Sequence, residues 1–258
     1  MTKYRTRIAP TPSGQLHLGH LSTFSIAQER AKKAKGDLIL RIEDIDKARS
    51  KEEYIESICS DLVKFGIICN EGYNIGGEFA PYKQSQRLPL YIDRLKKLIK
   101  KGYVYACYKS RSQIAKIAKY SEEDPKEKVY PKEFKNKHSK EIPENFLSLN
   151  WRFDCKYGEN IEFYDELCGK QSFICGRDFG DFLVWRKSEE ASYELAVVCD
   201  DIAMKITEVV RGKDLLLSTA KQILLYRAFN AIIPLFAHCP LVLDANKEKL
   251  SKSKIQLT

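Results

Sequence analysis

The sequence predicts an α/β fold: a parallel sheet flanked by helices, with an α+β subdomain inserted into it. Three observations predict it. The order strand, helix, strand over residues 4–42 is a βαβ unit, which makes a parallel pair. Arginines and acids cluster where those strands end, the place where open α/β sheets hold their ligands. Between Leu149 and Trp185, short runs broken by Gly158, Gly169, Gly176 and Gly180 interrupt the pattern, which then resumes.

The elements follow in order. YRTRIAPTP at 4–12 alternates and is stopped by Pro10 and Pro12, a first strand. Gly14 allows a turn. An amphipathic helix runs from about His17 to Lys35, with Leu18, Leu21, Phe24, Ile26, Ala27, Ala31 and Ala34 as its apolar or small positions. Gly36-Asp37 ends it. LILRI at 38–42 is the second strand. A helix over 51–65 presents Tyr54, Ile55, Ile58, Leu62 and Phe65; another over 87–101 stops at Gly102, and VYAC at 104–107 is a strand.

Residues 110–145 are rich in Lys and Glu and carry Pro125, Pro131 and Pro143, which reads as an exposed helical or loop insertion. The glycine-punctuated run at 149–185 reads as an antiparallel or mixed β region. LAVVCDD at 195–201 reads as a buried strand running into two acids, and ITEVVRG at 206–212 as another. A helix from Ser218 to Asn230 follows. From Pro240 the chain reads as a strand, a turn and a lysine-serine loop. Three segments result: 1–105 as a first α/β half, 106–190 as the inserted subdomain, and 191–258 as the second α/β half.

Composition narrows the class. At 258 residues the chain has room for one or two domains of about 150 residues. No run approaches the roughly 18 consecutive apolar residues of a spanning helix. The start, MTKYRTRIAPTPSG, has no apolar segment before a small-residue cleavage site, so a cytoplasmic location is expected. Eight dispersed cysteines without a C-x-x-C pair agree with a reducing compartment. Four histidines are too few for a conventional histidine-based metal centre. Lys plus Arg exceeds Asp plus Glu by 44 − 35 = 9, which suits a polyanionic partner such as nucleic acid or an anionic substrate.

Three groups of residues carry chemistry. His17-Leu18-Gly19-His20 stands at a helix start, where free N–H groups and the positive dipole end suit phosphate. Gly19 admits a flat ring or a phosphate close to the backbone. No G-x-x-x-x-G-K-[ST] or G-x-G-x-x-G loop does that work here; two ordinary surface histidines remain the alternative. Lys249-Leu250-Ser251-Lys252-Ser253-Lys254 offers mobile ammoniums and hydroxyls to phosphates that gain charge in a transition state, or is a basic tail. Arg7, Arg41 and Glu43 end the first two strands, and Tyr193 and Arg211 flank LAVVCDD. An arginine clamps a carboxylate and a glutamate accepts from an ammonium. Structural pairing of Arg41–Glu43 and of Asp200 and Asp201 is the alternative.

RIAPTPSGQLHLGH at 7–20, LRIEDID at 40–46, YKQSQR at 82–87, SYELAVVCDD at 192–201, ITEVVRGKDLL at 206–216 and KLSKS at 249–253 occur in this order. Together they resemble the Rossmann-like catalytic domain of class I glutamyl-tRNA synthetases over nearly the whole chain, least at 110–150. His17–His20 resembles the first ATP-binding signature of that class and Lys249–Ser253 the second. The wording of YKQSQRLPLY, ELAVVCDD, EVVRGKDLLLSTAKQI and HCPLVLDANKEKLSKS is similar to the short paralogues, the glutamyl-Q tRNA(Asp) synthetases. The length, too, leaves no room for a large anticodon-binding region.

The resemblance implies an ATP-dependent ligase that activates L-glutamate without needing tRNA. It then esterifies glutamate to the queuosine base at the wobble position of tRNA(Asp). By the same resemblance Arg7, Ala9 and Thr11 line the glutamate site, Glu43 meets the ammonium, and Tyr193 and Arg211 close the site, Arg211 on the side-chain carboxylate. His17, Gly19 and His20 hold ATP, with Lys249, Ser251 and Lys252 by the phosphates; His17, His20, Lys249 and Lys252 are the catalytic set. Mg²⁺ accompanies ATP, held by phosphates more than by the protein.

Two departures stand out. The short paralogues carry zinc on C-x-C, a tyrosine and a third cysteine. Here Cys107 and Tyr130 match, but Lys109 and Phe134 replace the other cysteines, so no zinc is expected. After KLSKS only KIQLT remains, so a catalytic domain shortened behind its second signature is expected. A synthetase charging the tRNA 3′ end and a degenerate RNA-binding paralogue stay open as alternatives. A monomer without membrane attachment is the default expectation.

Overall fold

The computed structural model describes residues 3–242. Strand β1 (Arg5–Ile8) pairs in parallel with β2 (Asp37–Leu40), from Arg5 opposite Asp37 to Ile8 opposite Leu40. Between them lies helix α1 (Leu18–Lys33), which buries Leu21, Phe24, Ala27, Gln28 and Ala31. His17 caps it: its side chain accepts from the N–H of Gly19, and the His20 side chain accepts from the N–H of His17. That reciprocal arrangement satisfies donors a helix start otherwise leaves open. Gly36 brings the chain back to β2. A Cβ there would stand 2.4 Å from the Tyr4 carbonyl oxygen, so only glycine lets β2 enter beside β1.

Helix α2 (Glu52–Lys64) buries Ile55, Ile58 and Leu62, and the short β3 (Glu71–Gly72) extends the first sheet on the far side of β2. Helix α3 (Leu88–Lys101) ends at Gly102, whose left-handed backbone (φ 73°) closes the helix. The inserted stretch then unfolds as β4 (Val104–Cys107), α4 (Arg111–Ile117), and the hairpin of β5 (Lys119–Tyr120) and β6 (Lys128–Val129).

Strands β7 (Asn150–Phe153), β8 (Asn160–Asp165), β9 (Gly169–Ile174), β10 (Leu183–Arg186) and β11 (Glu190–Ala191) divide between two sheets. β7 and β10 join an antiparallel sheet of order β11-β10-β7-β4. The β8–β9 hairpin instead adds to a second parallel pair, β12 (Glu208–Gly212) and β13 (Leu235–Cys239), in the order β12-β13-β8-β9.

Residues 195–201, expected as a strand, form most of helix α5 (Tyr193–Ala203). Ser192 caps it by accepting from the Leu195 N–H at 3.3 Å. Every residue from Leu195 to Asp201 is buried, so the run shows no one-sided periodicity, and a buried helix then reads like a buried strand. Helix α6 (Leu216–Ala228) is likewise buried on most sides. Among the described residues the last strand ends before Pro240. The lysine-serine loop lies outside the described residues.

The parallel β1-β2-β3 sheet and the mixed β12-β13-β8-β9 sheet meet edge to edge. The Thr207 N–H donates to the Arg5 carbonyl at 2.9 Å, and the Arg5 N–H donates to Thr207 Oγ1 at 2.8 Å. One apolar core runs from β1, β2, α1 and α2 to Val210, Ala237 and Cys239; a larger one joins α3, α5 and α6 to β7 and β10. The ends of β1, β2 and β12 are thereby brought to one place. Among the described residues no helix is long and apolar enough to cross a membrane.

Candidate active site

A cavity of about 620 Å³ opens where β1, β2 and β12 end and α1 and α5 begin. Arg7, Ala9, Thr11, His17, Gly19, His20, Glu43, Tyr193 and Arg211 all line it. Ser13, Arg49, Asp214 and the Pro240–Val242 segment complete the wall. Lys249, Ser251 and Lys252 lie outside the described residues.

The α1 end carries the two imidazoles. Their centroids are 3.8 Å apart, with planes inclined by 35°. His17 Nδ1 is occupied by the Gly19 N–H at 3.1 Å, and His20 Nδ1 by the His17 N–H at 3.3 Å. A Cβ on Gly19 would lie 3.1 Å from the His17 ring, so the glycine lets that ring lie against the helix start. The result is a polar ledge at the positive end of a helix, suited to an anion.

The opposite end is a chain of buried charge. Arg7 Nε donates to Asp201 Oδ1 at 3.2 Å. Arg41 Nη1 donates to the same oxygen at 2.6 Å, and its Nη2 donates to Glu43 Oε1 at 2.9 Å. Behind Asp201, Asp200 accepts from Gln84, Arg87 and Tyr91. Burial lifts the Glu43 carboxyl above its ordinary range, against the pull of Arg41 and Arg7. For Asp201 burial acts the same way, but Arg41 and Arg7 outweigh it and the carboxyl stays below its ordinary range. Arg7 and Glu43 thus stand fixed at the cavity as a cation and an acid.

The third wall is Arg211. Its Nη1 donates to the Tyr193 hydroxyl at 3.3 Å, leaving the phenol proton for a ligand oxygen. Burial pushes that phenol up to about 12, so it stays protonated. Arg211 Nη2 donates to Thr219 Oγ1 at 2.6 Å, and Nε donates to His238 Nε2 at 3.1 Å.

Sequence reasoning did not find His238, Thr219 or Asp165. His238 stands only as one of four histidines in HCPL, and Asp165 in an otherwise alternating strand; neither carries a local signal. Asp201 was visible as an acid in LAVVCDD, but its bond to Arg41 spans 160 positions.

The four positions compared with a zinc site do converge. Cys107 Sγ is 3.3 Å from the Tyr130 hydroxyl, which donates to the Phe134 carbonyl at 3.2 Å, and the Lys109 ammonium lies over the Phe134 ring at 4.8 Å. Tyr105, Cys107 and Tyr130 form a small apolar cluster with Ile114 and Phe134 packed against it. One thiol and one phenol beside an ammonium do not make a tetrahedral zinc site.

The family described as "tRNA synthetases class I (E and Q), catalytic domain" matches residues 3–258. A glutamyl-Q tRNA(Asp) synthetase of Symbiobacterium thermophilum is 42% identical over 255 residues, covering 95% of this chain and 77% of that protein. One from Nitratidesulfovibrio vulgaris is 38% identical, covering 96% and 77%. Among solved structures, the glutamate-tRNA synthetase of Elizabethkingia anophelis superposes with a TM-score of 0.83 at 31% identity. It covers 98% of this chain, which spans about half (53%) of that one.

Proposed function

The chain belongs to the family of class I glutamyl- and glutaminyl-tRNA synthetases, by its catalytic domain, and on that ground we propose that it activates L-glutamate with ATP and passes it to queuosine in tRNA(Asp). Enzymes of this class use ATP, generally with Mg²⁺. The glutamate ammonium meets Glu43, its α-carboxylate lies by Arg7, Ala9 and Thr11, and its side-chain carboxylate meets Arg211 and Tyr193. His17, Gly19 and His20 hold ATP at the α1 end, and Lys249, Ser251 and Lys252 serve the phosphates. Mg²⁺ would neutralise phosphate charge, held by the phosphates themselves more than by the protein.

In the first step a glutamate α-carboxylate oxygen attacks the α-phosphorus in line. Glutamyl-adenylate forms and pyrophosphate leaves. In the second a hydroxyl of the modified base attacks the activated carbonyl, an ester forms and AMP leaves. No protein nucleophile is required. Orientation between the walls and charge stabilisation along the phosphates supply the rate.

The observation that carries this reading is that a guanidinium held by Asp201 (Arg7), a carboxyl held by Arg41 (Glu43) and a second guanidinium (Arg211) all line one cavity. Glutamate has this arrangement of charges. Pyrophosphate exchange tests it: labelled ATP should form from labelled pyrophosphate, ATP and glutamate with no tRNA present. Exchange only in the presence of tRNA would favour a synthetase charging the tRNA 3′ end. Binding of RNA with no exchange under either condition would favour a degenerate paralogue. The apolar cluster at Cys107 holds the insertion without zinc.

A further inference from the structure

Buried arginines in this chain follow a rule that Arg211 breaks. Arg5 donates to Asp37 at 2.7 Å and to Glu71 at 2.8 Å. Arg7 and Arg41 share Asp201, and Arg87 reaches Asp200 at 2.6 Å. Arg211 is as buried as these, yet meets no carboxylate at salt-bridge distance among the described residues. Its partners are all neutral: His238 Nε2, Thr219 Oγ1, the Leu215 carbonyl and the Tyr193 hydroxyl.

The neutral imidazole is held in one tautomer. Asp165 Oδ2 lies 2.5 Å from His238 Nδ1, so that nitrogen carries the proton and Nε2 is left as an acceptor. Asp165 Oδ1 accepts from three backbone N–H groups, those of Leu167, Cys168 and His238, which leaves the carboxylate no freedom to turn. Asp165, His238 and Thr219 are completely buried. Burial, with the Arg211 charge beside it, pushes the imidazole down to about 4, so it stays neutral at pH 7.

Two ways exist to orient a buried guanidinium. A carboxylate orients it and offsets part of its charge; a neutral acceptor orients it and leaves the whole charge for a ligand. We propose that Asp165, His238 and Thr219 form a relay that positions Arg211 while keeping its charge unspent, and that this sets the preference for a side-chain carboxylate over its amide. The inference rests on Arg211 being the group that meets the glutamate side chain. His238 and Thr219 are positioning residues: they act through Arg211 and do not line the cavity. The negative charge of Asp165 is kept one ring away from the guanidinium.

Calorimetric binding of glutamate, glutamine and ATP to the full chain tests the relay, with His238→Leu and Thr219→Val removing the acceptors and His238→Gln and Thr219→Ser keeping one. Losing a hydrogen bond to a charged group should weaken glutamate binding roughly 10–100-fold. Glutamine and ATP binding should change by about twofold or less, and the conservative variants should restore most of the loss. Should His238→Leu fail to fold, Thr219→Val carries the same decision. A ratio of glutamate to glutamine affinity in both removal variants equal to the wild type would overturn the relay. Normal glutamate binding by Arg211→Ala would overturn the Arg211 assignment, and the relay with it. A wild-type chain that binds no glutamate would overturn the function itself. Loss of glutamate binding in Arg211→Ala with unchanged discrimination in the removal variants would sink the relay alone.

Discussion

Arg41 Nη1 donates to Asp201 Oδ1 at 2.6 Å, and that bond joins the end of β2 to the end of α5 beneath the cavity. Through Asp201 it also reaches Arg7 on β1, and through its other nitrogen Glu43. The position of both charged groups at the cavity, Arg7 and Glu43, therefore depends on a helix contributed by the far half of the chain.

Asp201→Ala leaves the buried Arg7 without its carboxylate and takes from Arg41 the nearest of its three. Breaking a buried pair from one side costs about 3–5 kcal/mol. Denaturant unfolding should show a loss of that size. A loss below about 1 kcal/mol would mean that water or a rearranged side chain replaces Asp201.

Gly19→Ala should separate the two ends of the cavity. The added methyl meets the His17 ring at 3.1 Å and must shift it by a few tenths of an ångström from its place against the start of α1. ATP binding should weaken by about tenfold, as expected when a positioning contact is displaced, with glutamate binding unchanged. Equal weakening of both ligands would show that the methyl disturbs the fold rather than the ATP end.

Acid should destabilise the chain through His238. The imidazole sits at about 4 when folded and at about 6.5 when exposed. Between those values the unfolded chain binds a proton that the folded chain refuses, so stability falls as pH falls from about 6.5 to about 4. The loss is on the order of 3 kcal/mol over the window. Unfolding free energies measured across it should show this slope, and His238→Gln should flatten it. An unchanged slope in that variant would place the acid sensitivity elsewhere.

Chelation should have no effect on stability. Tyr105, Cys107 and Tyr130 pack with Phe134 and Ile114, and the four positions compared with a zinc site offer one thiol and one phenol in place of a zinc ligand set. Melting temperatures before and after exhaustive dialysis against a chelator should agree within about 1 °C, since a structural zinc contributes folding energy outright. A clear drop would contradict the apolar reading of the cluster.

Local chemistry made part of this fold legible. Pro10 and Pro12, the one-sided spacing of Leu21, Phe24 and Ala31, and Gly36 announce β1, α1 and the return to β2 with contacts only a few residues apart. Gly102 marks the end of α3 in the same way. LAVVCDD is the counterexample: buried on every side, α5 offers no periodicity by which a helix differs from a strand. The cavity residues Arg7, Glu43, Tyr193 and Arg211 were legible because their charges stand at element ends and because the ordered phrases resemble a known family. What holds them was not. Asp165 and His238 are 73 positions apart and Arg41 and Asp201 are 160 apart, so no local pattern joins them. The 149–185 stretch shows the same limit. Its glycines announce strands, but only pairing decides that β8 and β9 leave β7 and β10 for the sheet of β12 and β13.

Transfer of labelled glutamate tests the account most directly. The chain is incubated with ATP, Mg²⁺, labelled glutamate and tRNA(Asp) prepared with and without queuosine. The account predicts label on the queuosine-containing tRNA alone, and none when Arg211→Ala replaces the wild type. Equal labelling of both tRNA preparations, or label released with the terminal adenosine, would contradict it.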